Sequence, residues 1–168
     1  VHELDAGAYC AQVSTTVADK TSSELLDELG HLGAEALIGA IGRIADGTVE
    51  WTEQDEALVT YAHKIGKAEM RLDPAAAALA NVRRVLASTD AAPARCEVVG
   101  KGVRVTRAKT CADAVAPGDV LVSHGRVRLG CSDGSLEVLS VKPDGKREME
   151  AAAWAAGLRG ERLTWGRV

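Results

Sequence analysis

The sequence predicts an α+β chain: a strand and a long helix, a linker, then a small five-stranded β-barrel with flanking helices. Three observations carry this reading. Side chains alternate over Ala8–Val17 and then recur at spacings of three and four from Leu25 to Ile44. From Glu50 to Arg71 the period is lost and charges of both signs mix, as in a connecting segment. After Pro93 the chain breaks into five short apolar runs separated by Gly and Pro.

Taken in order, Tyr9, Ala11, Val13, Thr15 and Val17 fall on one face of a period-2 segment, so Ala8–Val17 is expected as a strand. Asp19-Lys20 turns the chain. Thr21 with Glu24 three residues on is a capping-box pattern, in which each side chain satisfies a backbone N–H at the helix start. Leu25, Leu29, Leu32, Ala36, Ala40 and Ile44 then define a helix to about Ala45, ended by the Asp46-Gly47 turn. Gly30, Gly33, Gly39 and Gly42 each cost this helix up to ~1 kcal/mol relative to Ala. Close packing against a sheet is the expected compensation.

Asp73-Pro74 restarts order as an N-cap followed by Pro at the first helical position, predicting a second helix over Ala75–Ala87 with Leu79, Val82 and Leu86 inward. Strands are expected near Cys96–Val99, Val103–Lys109, Val120–His124, Val127–Cys131 and Leu136–Lys142, and a closing helix over Met149–Ala156. Five short strands with a helix suit a barrel of the oligonucleotide-binding type. Aromatics make up 3% of the residues and Phe is absent, so Leu, Val, Ile and Ala must fill the core. Trp51, Trp154 and Trp165 are expected to anchor linker and C-terminal packing.

Charge is divided unevenly. The net charge is −4, yet residues 1–74 hold 5 Lys+Arg against 14 Asp+Glu, a balance of −9, and residues 75–168 hold 15 against 10, or +5. A basic surface on the second half follows. Lys101, Arg104, Arg107 and Lys109 fall on one predicted hairpin, Arg126 and Arg128 on the next, then Lys142, Lys146 and Arg147; Lys64 and Lys67 lie in the linker. Such a set can follow a phosphate backbone, or can be a solvated strand face. Cys10, Cys96, Cys111 and Cys131 form no C-x-x-C pair, which favours reduced thiols over disulfides or zinc. His31 is expected as a surface or helix-packing residue. The sequence has no signal-peptide pattern and no apolar run near ~18 residues, so no membrane span is expected.

Asp5-Ala6-Gly7, read alone, is a turn in which Asp caps its own backbone and Gly supplies positive φ. Together with the strand and capping box after it, Leu4-Asp5-Ala6-Gly7 resembles the late catalytic region of the methionyl-tRNA formyltransferase family. Thr60-Tyr61-Ala62-His63-Lys64-Ile65 and Lys142-Pro143-Asp144-Gly145-Lys146-Arg147-Glu148-Met149 resemble the same family, in the same order and at similar spacing. The loop Ser88–Pro93 departs from it, lacking the aromatic and Pro-rich pattern common there, and Lys142 stands where Gln is common.

The resemblance implies a domain plan: 1–49 as the end of an α/β formyltransferase catalytic domain, 50–73 as linker, and 74–168 as an oligonucleotide-binding-like, tRNA-binding domain. The chain lacks an initiator Met, which fits a truncated segment. The implied parent transfers a formyl group from 10-formyltetrahydrofolate to the α-amino group of initiator methionyl-tRNA, without a metal, as a cytoplasmic monomer. Asp5 matches the catalytic carboxylate and Gly7 the turn glycine. Lys64, Lys67, Lys101, Arg104, Arg107, Lys109, Lys142, Lys146 and Arg147 become tRNA-binding candidates. The partner His and Asn of the family's catalytic centre are not in this sequence, so the segment alone is expected to be inactive, and Ala8–Ala45 is expected to leave apolar surface uncovered, with Leu25, Leu29 and Leu32 exposed. A sugar-nucleotide N-formyltransferase, a formyltetrahydrofolate hydrolase-type segment and a stand-alone RNA-binding module are the alternatives.

Overall fold

The structure, a computed structural model, describes residues 5–160 and 162–168. Leu4, the first residue of the Leu-Asp-Ala-Gly turn, lies outside the described residues. The chain divides into two compact units, residues 1–64 and 65–168.

The first unit is organised by α1 (Ser22–Ala45), which starts at the expected place. Thr21 Oγ1 accepts from the Glu24 N–H and Glu24 Oε2 accepts from the Thr21 N–H at 2.8 Å, the reciprocal capping box. The strand expected over Ala8–Val17 does not form. Only Tyr9 pairs, in an antiparallel bridge to Thr52. Alternation suits a pleated strand, but a strand persists only where a neighbour completes its ladder. Here the segment is instead tied to α1, with Arg43 donating to the Cys10 carbonyl, and Thr15 and Lys20 both bonded to Glu28. α1 buries Ala40, half-buries Leu25 and Leu32, and leaves Leu26, Leu29, Leu37, Ile38, Ile41 and Ile44 exposed. A short 3-10 turn follows at Glu56–Leu58, and Trp51, expected to anchor packing, is exposed.

The second unit is a nearly closed antiparallel barrel. Its strands are β1 (Arg95–Val98), β2 (Lys101–Cys111), β3 (Val120–Ser123), β4 (Arg126–Cys131), β5 (Gly134–Pro143), β6 (Met149–Glu150) and β7 (Trp165–Gly166), in the order β3-β4-β5-β2-β1-β7 with β6 on β5. The first five match the expected runs to within a few residues at each end. β6 and β7 were not expected: Met149–Glu150 pairs with Val141 and Ser140, so the closing helix shortens to α3 (Ala151–Ala155). β7 seals the barrel. It pairs with β1 through Val98 and Glu97, while Thr164 bridges to Asp119 just before β3. Trp165 is buried there, its Nε1 donating to the Gly130 carbonyl at 3.0 Å.

α2 (Ala78–Leu86) covers one side of the core. It begins three residues later than Asp73-Pro74 predicts. Asp73 instead closes a turn by accepting from the Ala75 N–H, and the Ala78 N–H is capped by Asp133 Oδ1 at 2.7 Å, from the β4–β5 turn. The inward face holds Ala78, Asn81, Val82 and Val85, with Leu86 partly buried against the core, so Leu79 is exposed rather than inward. Asn81 is buried with its polar atoms satisfied, exchanging hydrogen bonds with the Asp73 backbone. Valine and leucine dominate the interior: Leu72, Val98, Val103, Val105, Val127, Leu129, Leu136 and Val141 are fully buried. A β-bulge at Thr106–Arg107 shifts the inward phase of β2, so Ala108 follows Val105 into the core.

Gly130 marks the tightest approach in the barrel. A Cβ there would lie 1.9 Å from the Ala116 carbonyl oxygen, because the Val115–Ala116 loop crosses directly over β4. Gly166, on β7, has nothing within 4 Å of the same position. Gly130→Ala is therefore expected to destabilise the barrel by about 1–3 kcal/mol or more through forced backbone movement, and Gly166→Ala to change stability little. Urea unfolding of both variants checks this; equal stabilities would place the strain elsewhere.

Candidate functional site

The Asp5 turn is built from the backbone. Asp5 sits at φ 61, a left-handed conformation that Asp tolerates better than most residues, and its side chain is exposed. Gln54 Nε2 donates to the Asp5 carbonyl at 2.7 Å and to the Gly7 carbonyl at 2.8 Å. With the Tyr9–Thr52 bridge beside it, one amide side chain holds both ends of the turn. Sequence reasoning gave Gln54 no role. Its signal was absent because a residue 49 positions away binds the turn through carbonyls, which any residue could supply.

Within the barrel, the candidate cations separate into two groups. The first runs straight across three strands. Arg95 stands opposite Arg104, and Arg104 opposite Lys142, in the β1-β2-β5 register. Directly opposed residues share a face, so these three cations form one row on the outer surface. Lys101 begins β2, while Lys146 and Arg147 follow β5; the two turns adjoin, with the Asp144 N–H donating to the Gly102 carbonyl. Lys101, Lys142, Lys146 and Arg147 are exposed. Two carboxylates enter the row. Arg95 Nη2 binds both oxygens of Asp144 at 2.6 and 2.7 Å, and Arg104 Nη1 binds Asp90 Oδ1 at 2.6 Å. Gly102 makes room for the first pair, since a Cβ there would meet Asp144 Oδ2 at 2.3 Å.

Arg95, Asp90 and Asp144 were not among the expected site residues. For Arg95 the signal was available: with Cys96 and Val98 inward, alternation puts Arg95 and Glu97 outward. Asp90 had none, because its position depends on the path of the loop between α2 and β1.

The second group surrounds Glu137, whose side chain is only 7% exposed. Arg126 Nε donates to Glu137 Oε1 at 2.8 Å and its Nη2 binds the other oxygen, a two-pronged pair. Lys109 lies 3.7 Å from Glu137, and Arg128, itself buried, pairs with Asp113 at 2.6 Å and donates to Ser123 Oγ. Here the cations serve the fold. Arg126 and Arg128 belong to the basic set the sequence offered for a phosphate backbone, and Lys109 to the tRNA-binding candidates; here Arg126 and Lys109 share Glu137 and Arg128 pairs with Asp113. Arg107 is exposed at the bulge, and Lys64 and Lys67 are exposed on their segments.

All four cysteines are free. Burial pushes the Cys96 thiol up to about 12, and burial also raises Cys131, so both stay protonated. Among the described residues, no group of three or more His, Cys, Asp or Glu side chains is placed to hold a metal ion, and no helix is long and apolar enough to cross a membrane. Leu26, Asp27, Gly30, His31 and Ala34 line a shallow depression on α1, where His31 Nδ1 meets the Asp27 carbonyl at 2.8 Å.

The family described as formyl transferase, C-terminal domain, matches residues 64–159, more than half of the chain. The chain belongs to this family. Among solved structures, a variant of HypX from Aquifex aeolicus superposes with a TM-score of 0.73 at 21% identity, over 94% of this chain and 29% of that one. HypX from Aquifex aeolicus in complex with tetrahydrofolic acid superposes with a TM-score of 0.71 at 19% identity, over 98% of this chain and 32% of that one. At these identities the likeness is one of fold. The chain spans about a third of the length of these structures.

The Glu137 pair has a pH signature. The Arg126 hydrogen bonds, helped by the charges of Lys109, Arg126 and Arg128, hold the Glu137 carboxyl below the usual carboxylate range against the opposing effect of burial. A depressed carboxyl contributes its full stability above the unfolded value of about 4.3 and loses it as pH falls toward the lower folded value. Glu137→Gln should therefore lower the thermal midpoint at pH 7 and flatten its decline below about pH 4.3. Midpoints measured from neutral to acid pH test this, and parallel curves for the two proteins would remove Glu137 from the account.

Proposed function

We propose that this chain is the C-terminal segment of a methionyl-tRNA formyltransferase. In that enzyme the barrel binds initiator methionyl-tRNA, and Asp5 serves transfer of the formyl group from 10-formyltetrahydrofolate to the α-amino group. One observation carries the reading: Lys101, Arg104, Lys142, Lys146 and Arg147 share one exposed end of a formyl transferase C-terminal barrel. Neighbouring strands lie about 5 Å apart, so the row offers successive positive charges to a polyanion. A sugar-nucleotide acceptor calls for a concave pocket with a few convergent polar groups. These cations stand instead on turns and outer strand faces, which favours a long phosphate backbone.

The Asp5 carboxylate is exposed on a turn clamped through its carbonyls by Gln54. In this reading it accepts a hydrogen bond from an imidazole N–H of the catalytic centre, orients that ring and stabilises its charged form while the amine loses its proton. The folate supplies an activated formyl group. The described residues around Asp5 form an open turn rather than an enclosing cleft, so no step through the folate is assigned to this segment.

Two measurements test the proposal. In the enzyme containing this segment, Asp5→Asn should preserve folding and lower turnover by on the order of 10², because an amide cannot stabilise an imidazolium; near wild-type turnover would return Asp5 to a turn-forming role. The chain itself should bind tRNA in fluorescence anisotropy with affinity that falls as salt rises. Replacing Lys101, Lys142 and Lys146 by Ala should reduce the magnitude of the slope of log K against log[salt] by roughly 2 to 3, at about 0.7–0.9 per phosphate contact. Absence of binding at low salt, or an unchanged slope, would count against the barrel as an RNA-binding surface.

A further inference from the structure

Arg95, Arg104 and Lys142 are directly opposed across three strands, and like charges so placed repel unless anions intervene. Asp144 and Asp90 supply those anions, but the two differ in how they are held. Asp144 belongs to a turn hydrogen-bonded to β2, meets Arg95 with both oxygens, and fills space that Gly102 leaves open. Asp90 comes from the loop between α2 and β1, and its side chain is 98% exposed apart from a single Oδ1 contact with Arg104. The Arg104 side chain is 20% exposed, and its Nε is buried with no hydrogen-bond partner among the described residues. A guanidinium has five N–H donors, so one carboxylate oxygen leaves this one poorly satisfied. Arg104, followed by Lys142, also holds the Asp90 carboxyl below the usual range, which keeps it charged at neutral pH.

We infer that Asp90 is a displaceable counter-ion, occupying an RNA phosphate site formed by Arg104 and Lys142. This deepens the tRNA-binding reading and rests on it. In the free protein the carboxylate lies where a phosphate oxygen lies in the complex; binding exchanges one for the other, and the Asp90 side chain moves into solvent. The exchange lowers affinity for phosphate backbones in general, because every polyanion must displace Asp90 first. It also makes the loop Ser88–Pro93, and not only the strands, a determinant of how tightly the barrel holds RNA.

Anisotropy of the full chain with a labelled tRNA transcript, from about 50 to 200 mM salt, tests this with Asp90→Asn and with Glu35→Gln as a control that removes the same charge from exposed α1. Asp90→Asn should bind about two- to five-fold more tightly than wild type, the size of one exposed ion pair. Its salt slope should stay close to that of wild type, because the phosphate contact forms in both complexes and only the displacement of Asp90 is removed. Glu35→Gln should match wild type, and the gain should vanish when Asp90→Asn is combined with Arg104→Gln. Equal, salt-dependent binding by wild type and Asp90→Asn would overturn the counter-ion role and leave the RNA surface standing. A gain matched by Glu35→Gln, or kept without Arg104, would also overturn it. Binding by none of the proteins would overturn both readings, whereas binding by Asp90→Asn alone supports the exchange.

Discussion

A sheet of six strands in line has two edges, and each edge exposes unpaired backbone groups that invite association. In this barrel both edges are closed by the same few residues near the end of the chain. Trp165 pairs with Val98 on one side, its N–H donates to the Gly118 carbonyl on the other, and the indole N–H reaches the Gly130 carbonyl across the interior. Among the described residues it is the one buried aromatic in a core of Val, Leu and Ala. The register of β1 on β2, and hence the alignment of Arg95, Arg104 and Lys142, is set in a sheet that this closure holds in shape.

The same alternation that fills the interior also writes the outer charge pattern, and the burial of the carboxylate partner separates the two groups of cations. Around Glu137 the buried partner is the carboxylate: it holds the exposed Arg126 and Lys109, while Arg128 is itself buried against Asp113, so Arg126 and Arg128 contribute to the integrity of the β4–β5 face. At the end formed by the β1–β2 and β5–β6 turns Lys101, Lys142, Lys146 and Arg147 stay at the surface, and the half-buried Arg95 and Arg104 have exposed carboxylate partners. A net charge of −4 is no obstacle to binding a polyanion when charge is arranged in this way, because screening confines each surface field to roughly 10 Å. Position on the barrel, more than the number of Lys and Arg, separates the binding candidates from the structural ones.

Local signals in the sequence found local structure. The Thr21–Glu24 capping box located α1, and period-2 runs between Gly and Pro located five strands, because those patterns depend on neighbours along the chain. The misses are all long-range. Ala8–Val17 alternates but lacks a ladder beyond Tyr9; α2 is capped from 55 residues away by Asp133; and β7 is too short to have a period at all. At the candidate site, Lys101, Arg104, Lys142, Lys146 and Arg147 were legible from composition and spacing, and Arg95 from strand phase. Asp90 and Gln54 were not, since each acts through a loop path that folding alone defines.

The central claim is that the exposed row at this end of the barrel is the surface that meets RNA. Mapping backbone amide chemical shifts of the chain during titration with tRNA at low salt addresses it most directly. The account predicts shifts concentrated at Asp90, Lys101–Arg104 and Lys142–Arg147, with the Arg126–Glu137 face little changed. Shifts concentrated on that second face, or on α1, would contradict it.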